Sequence, residues 1–264
     1  MCFFVGEPHY LWYNLIMLKY SSLILFLQKR ILWLARHWEL AVNGVFALVL
    51  AGAIAAPLMM SLGWTDAARW LYRQYAPHDH QLPQRSYFLF SPNGGVKSYS
   101  LDEVLAEGGN RYNLRAFVGN AQMGWKMAMN HRMVAIFIGL LAGGLLWSSY
   151  LWQPRISPAL LILFVFPMFF DALSHMADER LGTVWRAGNL WSVWLTHGIM
   201  PPEYYSGTTI GTINWWLRTV TGFWFGLGTA LYLFPYFDHR FTAIRHELEP
   251  KLRRVENRQS PPQK

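Results

Sequence analysis

Cysteine is almost missing from this chain. Cys2 is the only one in 264 residues, which excludes an intramolecular disulfide and any zinc or iron-sulfur centre held by several thiolates. No CxxCH stretch offers covalent haem attachment, and no HExxH pair offers a helical zinc site. Nothing in the sequence indicates a cofactor. Charge is also scarce, at 14% of residues against 53% hydrophobic, which is too apolar for an ordinary soluble domain. No internal repeat is present.

What is there in quantity is apolar sequence in long runs. Residues 40–62, 133–152, 158–176 and 213–237 each supply the roughly 20 helical residues needed to cross a hydrocarbon core. Fourteen Trp and thirteen Tyr suit the headgroup boundary, where amphipathic rings settle. An earlier apolar stretch, residues 11–27, contains Asn14 and Lys19 and is followed by Gln28, Lys29 and Arg30; it reads as an interfacial amphipathic helix, with a fifth crossing as the alternative. It makes a poor signal peptide, and Met17 is a candidate start.

Basic residues orient the chain. Lys29, Arg30 and Arg36 precede the first span, Arg155 lies between the second and third, and Arg240, Arg245, Lys251, Arg253, Arg254 and Arg258 follow the fourth. With four spans these places share one side, which makes the N- and C-termini cytoplasmic. The long loop between the first two spans is basic too, but long loops translocate largely regardless of charge. The net charge of +8 therefore needs no nucleic acid, since a basic tail beside an anionic leaflet accounts for much of it.

The two outer loops, 63–131 and 177–212, carry local structure signals. Residues 66–75 read as a helix ended by Pro77; residues 86–90 and 96–99 flank Pro92-Asn93-Gly94-Gly95 as a β-hairpin. Ser100 and Glu103 form a capping-box pattern, with Gly108 as the stop. The second loop is aromatic, with Trp185, Trp191, Trp194, Tyr204 and Tyr205 around Pro201-Pro202. Residues 258–264 read as disordered.

Polar side chains in hydrocarbon are expensive and mark the place to look for function. Asp171 and His175 share a helical face, as do Asn214 and Arg218, and Arg132 opens the second span. His80, Gln81 and Arg85 lie in the outer loop on the same side. These eight residues form the candidate site, with Asp171 paired to Arg132 or Arg218. The bland reading is a structural ion pair tying helices together. The sharper ones are a pocket for a small solute or ion, and acid-base chemistry by Asp171 and His175. His78, His80, Asp171 and His175 are weak metal candidates, against solvated loop histidines. His131 and His197 are candidate porphyrin ligands, against ordinary boundary histidines. Gly139, Gly143 and Gly144 form a small-residue face for close helix packing, within the bundle or across a homodimer.

These motifs together resemble the DUF2085 family of prokaryotic membrane proteins. His80-Gln81 with Arg85-Ser86-Tyr87, then Asn130-His131-Arg132-Met133 with Gly139, then Pro167 to His175, and finally Asn214, Arg218, Thr221 and Gly222 are similar to the family's motifs in order and spacing. The resemblance covers roughly residues 40–237. It implies a membrane protein without an assigned activity. Three family cysteines fall at Asp79, Asn130 and Met133, so a thiol role has no bearer in this chain.

The sequence thus predicts an all-α integral membrane protein: a four-helix transmembrane bundle with an ordered extracytoplasmic cap containing a small hairpin. An N-terminal interfacial segment (1–38) would precede the four-span domain (39–237), and a basic cytoplasmic tail (238–264) would follow. The expected location is the plasma membrane, with lipid and other membrane proteins as partners. The expected role is a non-enzymatic binding or accessory component, with a small-solute or ion transporter and a membrane enzyme as alternatives.

Overall fold

The computed structural model describes residues 8–149, 153–182 and 185–259. Cys2, the end of the second predicted span at 150–152 and the last five residues of the tail lie outside the described residues. Ten α-helices account for most of the described residues: α1 (Pro8–Arg36), α2 (Trp38–Ser61), α3 (Thr65–Tyr75), α4 (Leu101–Ala106), α5 (His131–Ser148), α6 (Pro158–Leu181), α7 (Trp185–Gly188), α8 (Leu190–Leu195), α9 (Pro202–Tyr205) and α10 (Ile213–Gln259). Three strands, β1 (Ser86–Leu89), β2 (Gly119–Asn120) and β3 (Gly124–Asn130), accompany them.

The chain divides into two compact units. The first joins residues 1–41 to residues 235–264. The N-terminal helix is longer than the 11–27 segment read from sequence, and α10 continues 22 residues past Phe237, through most of the basic tail. The two run antiparallel. Lys29 Nζ meets Glu256 Oε1 at 2.8 Å, and Arg36 Nη2 meets Glu249 Oε1 at 2.7 Å. Trp38 stacks on Phe241 at 5.5 Å, while Leu32, Ala35 and Leu252 are buried.

The second unit, residues 42–234, contains the remaining bundle and the cap. Helices α2, α5 and α6 are long and apolar enough to cross a membrane. The fourth predicted span is helical from Ile213 onward but does not join them on composition; its Trp, Thr, Gly and Tyr residues and Arg218 dilute its aliphatic content. Local signals set the boundaries. Asn130 caps α5 by accepting from Met133 N, Ser157 caps α6 ahead of Pro158, and α6 ends on Gly182 in the left-handed region.

Glycines bring α5 and α10 together. A Cβ at Gly139 would overlap Phe223 O, one at Gly226 would overlap Ile136 O, and one at Gly143 would lie 2.7 Å from the Ala230 Cβ. The small-residue series of the second span therefore packs inside the bundle. This is how membrane helices maximise contact when no hydrophobic effect drives them together.

The cap holds α3, α4 and a three-stranded antiparallel sheet in the order β1-β3-β2. The helix read over 66–75 is α3, and the Ser100–Glu103 capping box opens α4. The hairpin forms in reduced extent. Its turn forms at Gly94 and Gly95, both at positive φ, but residues 86–99 share one bridge, Phe88 with Lys97. The main partner of β1 is β3, with Ser86 opposite Asn130 and Phe88 opposite Lys126. That strand escaped the sequence reading because Gly124–Asn130 lacks the β-branched residues and strict alternation that mark strands. Ala53 and Ala56 of α2, Tyr72 of α3, Met127 and Met129 of β3 and Val134 of α5 share one core. Cap and bundle are thereby one packed body, and β3 runs directly into α5.

Candidate functional site

Asp171 lies in the second half of α6 with 4% of its surface exposed. Its Oδ2 pairs with Arg132 of α5, and its Oδ1 accepts from Arg186 Nη2 of α7 at 2.5 Å. The same Nη2 is 3.0 Å from His175 Nε2, one turn along α6. Both carboxylate oxygens are thus engaged by guanidinium groups from two other helices. Such charge-assisted bonds are the strong class.

The supports of this triad come from separate elements. Arg132 is the second residue of α5, so the Asn130 cap fixes its position. Asn214, 2% exposed in the first turn of α10, donates to Arg186 O at 3.1 Å and to Gly207 O at 2.9 Å, pinning the backbone that carries Arg186. Thr208 Oγ1 donates to Gln84 O at 2.5 Å and Ile210 N to Ser98 Oγ at 2.6 Å, which ties the second loop to the cap. Trp215 Nε1 donates to the Tyr87 hydroxyl, whose ring packs 4.2 Å from that of His131.

Beside the triad opens a cavity of about 270 Å³, lined among others by Arg85, His175, Asp178, Arg186 and Asn214. The guanidinium groups of Arg218, Arg186, Arg85 and Arg132 all act electrostatically on His175. Burial weakens the hold of Arg186 on its proton, and the neighbouring Asp171 counteracts that. Among the described residues, four arginines thus stand around two aspartates, Asp171 and Asp178. The locality is cationic.

Six of the eight predicted site residues are therefore neighbours: Arg85, Arg132, Asp171, His175, Asn214 and Arg218. The expected pairing of Asp171 with Arg132 is present, Arg186 is a second partner, and Arg218 is buried nearby. The sequence reading missed Arg186, which sits in a one-turn helix inside an aromatic loop where no period announces a buried side. His80 is exposed and stands apart. Gln81 is buried in a second cluster, donating to Tyr72 O and Ala128 O. The metal candidates His78, His80, Asp171 and His175 are not gathered, and among the described residues no three His, Cys, Asp or Glu side chains converge.

That second cluster lies inside the cap. Asp79 accepts from Gln81 N at 2.7 Å, Asn130 N at 2.7 Å and Asn130 Nδ2 at 2.8 Å. Lys126, with no exposed surface, donates from Nζ to Gln81 O at 2.8 Å and Arg115 O at 2.9 Å. Burial pulls the Lys126 pKa down to about 7, with Asp79 opposing the fall and Arg115 adding to it. Asp79, Asn130 and Met133, which stand where the resembled motifs carry cysteine, are joined by hydrogen bonds, since Met133 N donates to Asn130 Oδ1 at 3.0 Å. A polar staple occupies those positions in this chain.

Long apolar helices ending together at a packed cap, with buried ion pairs at that end, define an integral membrane protein of the helical class. The family model DUF2085, a predicted membrane protein, matches residues 120–232, the same family that the motifs resemble. The matched segment includes β3, the Asp171 triad and most of the apolar part of α10; the motif around His80 and Arg85 precedes it. No curated protein and no solved structure matches the chain.

Proposed function

We propose that this is a non-enzymatic binding or accessory component of the plasma membrane, with four spans and both termini in the cytoplasm. Helices α2 and α6 reach the cap by their C-termini and α5 and α10 by their N-termini, an arrangement that suits four crossings with the cap outside. The basic flanks of the first and fourth spans support that orientation. The cluster would then sit at the outer boundary.

One observation carries the binding reading: Arg186, which holds Asp171, and His175 beside it line a cavity of about 270 Å³. A purely structural ion pair has no need of such a space. The surplus of guanidinium groups over carboxylates among the described residues favours a small anionic solute. Both oxygens of Asp171 are engaged by arginines, which supports a binding role over acid-base chemistry. Native mass spectrometry of the protein from mild detergent tests the reading. A small anion bound at near one-to-one stoichiometry is expected; a protein carrying no such species, and shifting its melting temperature with none of a panel of small anions, overturns it.

A further inference from the structure

Helix α3 carries Arg69 and Arg73, four residues apart and so on one face. Both are exposed, and among the described residues neither has a hydrogen-bond or ion-pair partner. Facing them is Arg115, in the 3-10 turn Leu114–Ala116. Its Nη2 donates to Ala76 O and, at 2.8 Å, to Asp79 O, which fixes the guanidinium plane by backbone carbonyls instead of by a carboxylate.

These three arginines, with Tyr72, Gln81 and Asn113, line a cavity of about 430 Å³. Among the described residues no carboxylate lines it. Two like charges at this helical spacing repel each other, and the third is fixed across from them, so the cavity gathers positive charge that no carboxylate of its described lining offsets. Lys126 adds a further amino group behind it, hydrogen-bonded to the backbone of Arg115 and Gln81. We infer that this cavity of the cap binds a phosphate-bearing anion, with Arg69, Arg73 and Arg115 as its donors. Guanidinium forks match tetrahedral oxyanions through paired N–H bonds, and the volume falls within the roughly 300–1,000 Å³ of small-molecule sites, leaving room for more than the phosphate. The site is separate from the Asp171 cavity and does not rest on its reading.

Two sources share this chemistry, a lipid headgroup and a soluble phosphate compound. The test uses the full chain in nanodiscs. In one arm, phosphatidylcholine discs are titrated with inorganic phosphate and with glycerol 3-phosphate by calorimetry. In the other, discs containing phosphatidylglycerol are analysed by native mass spectrometry for retained lipid. At least one probe is expected to bind, with Arg69→Gln/Arg73→Gln weakening it roughly tenfold or more, as the loss of charge-assisted hydrogen bonds implies. Arg69→Lys/Arg73→Lys should keep part of the affinity, and Arg111→Gln, outside the cavity, should change nothing. Soluble phosphate binding identifies a solute site, and retention of phosphatidylglycerol alone identifies a headgroup site. Binding of no probe, or equal binding by wild type and the glutamine pair, overturns the inference. If that pair fails to fold, Arg73→Gln alone takes its place: weakened binding supports the site, and wild-type affinity overturns it.

Discussion

Replacing Asp171 by alanine removes a carboxylate that Arg132 and Arg186 share. Arg186 has 5% of its side chain exposed and Arg132 has 19%, so Arg132 can recover some hydration while Arg186 cannot. Breaking a buried pair from one side costs about 3–5 kcal/mol, because a charge is left desolvated and unpaired. Set against a typical total stability of about 5–15 kcal/mol, that loss is large. Fourteen tryptophans make intrinsic fluorescence the natural probe of denaturant unfolding in detergent. Arg186→Met should cost less, since Asp171 keeps Arg132. Asp171→Leu with Arg132→Met and Arg186→Met should return to within about 1 kcal/mol of wild type, because removing all three charges also removes their desolvation costs. An Asp171→Ala protein within about 1 kcal/mol of wild type would refute the argument that this triad is buried and mutually dependent.

Three further outcomes follow from the geometry. Gly139→Ala should destabilise by about 1–3 kcal/mol in the same assay, since its Cβ would strike the α10 backbone at Phe223 and Leu227, whereas Gly44→Ala, with nothing within 4 Å, should show no loss. Lys126 is neutral more readily in the folded state, its pKa falling from 10.5 to about 7. The folded state thus binds fewer protons between these values, so its contribution to stability rises with pH across that window and is at its lowest below pH about 7; Lys126→Met should flatten the slope, read as the wild-type-minus-variant difference in unfolding midpoint. Ser100→Ala removes the α4 cap and should cost about 1 kcal/mol, visible as faster amide exchange over residues 101–106.

Much of this architecture is legible in the residues, for identifiable reasons. Apolar runs long enough to be helices are α2, α5 and α6, and the start of the fourth predicted span coincides with the start of α10. Short-range signals also read well, because a capping box or a Gly-rich turn is decided by residues within four positions, as at Ser100–Glu103 and Gly94-Gly95. What local pattern does not carry is long-range pairing. The partner of β1 begins 35 residues after it ends, and α10 extends to Gln259 beside an N-terminal helix whose Arg36 meets Glu249, 213 positions away. The candidate site divides along the same line. Asp171, His175, Asn214 and Arg132 are visible as polar residues in or beside apolar runs, while Arg186 lies in a loop where charge is ordinary until the fold buries it. His80 and Gln81 share the cluster's depth in the sequence, and depth does not distinguish the two sides of a cap.

The Asp171 cluster is held here to serve a pocket and to be more than a fastening between helices. The triple variant Asp171→Leu/Arg132→Met/Arg186→Met separates the two, because a fastening made of buried ions can be replaced by apolar side chains of similar volume without loss of fold. The decisive measurement is the small-anion content, by native mass spectrometry, of wild type and triple variant purified side by side in the same detergent. A pocket built on these charges predicts a variant that unfolds at the wild-type denaturant concentration but has lost the anion; retention of that anion at wild-type stoichiometry by the folded variant would contradict it.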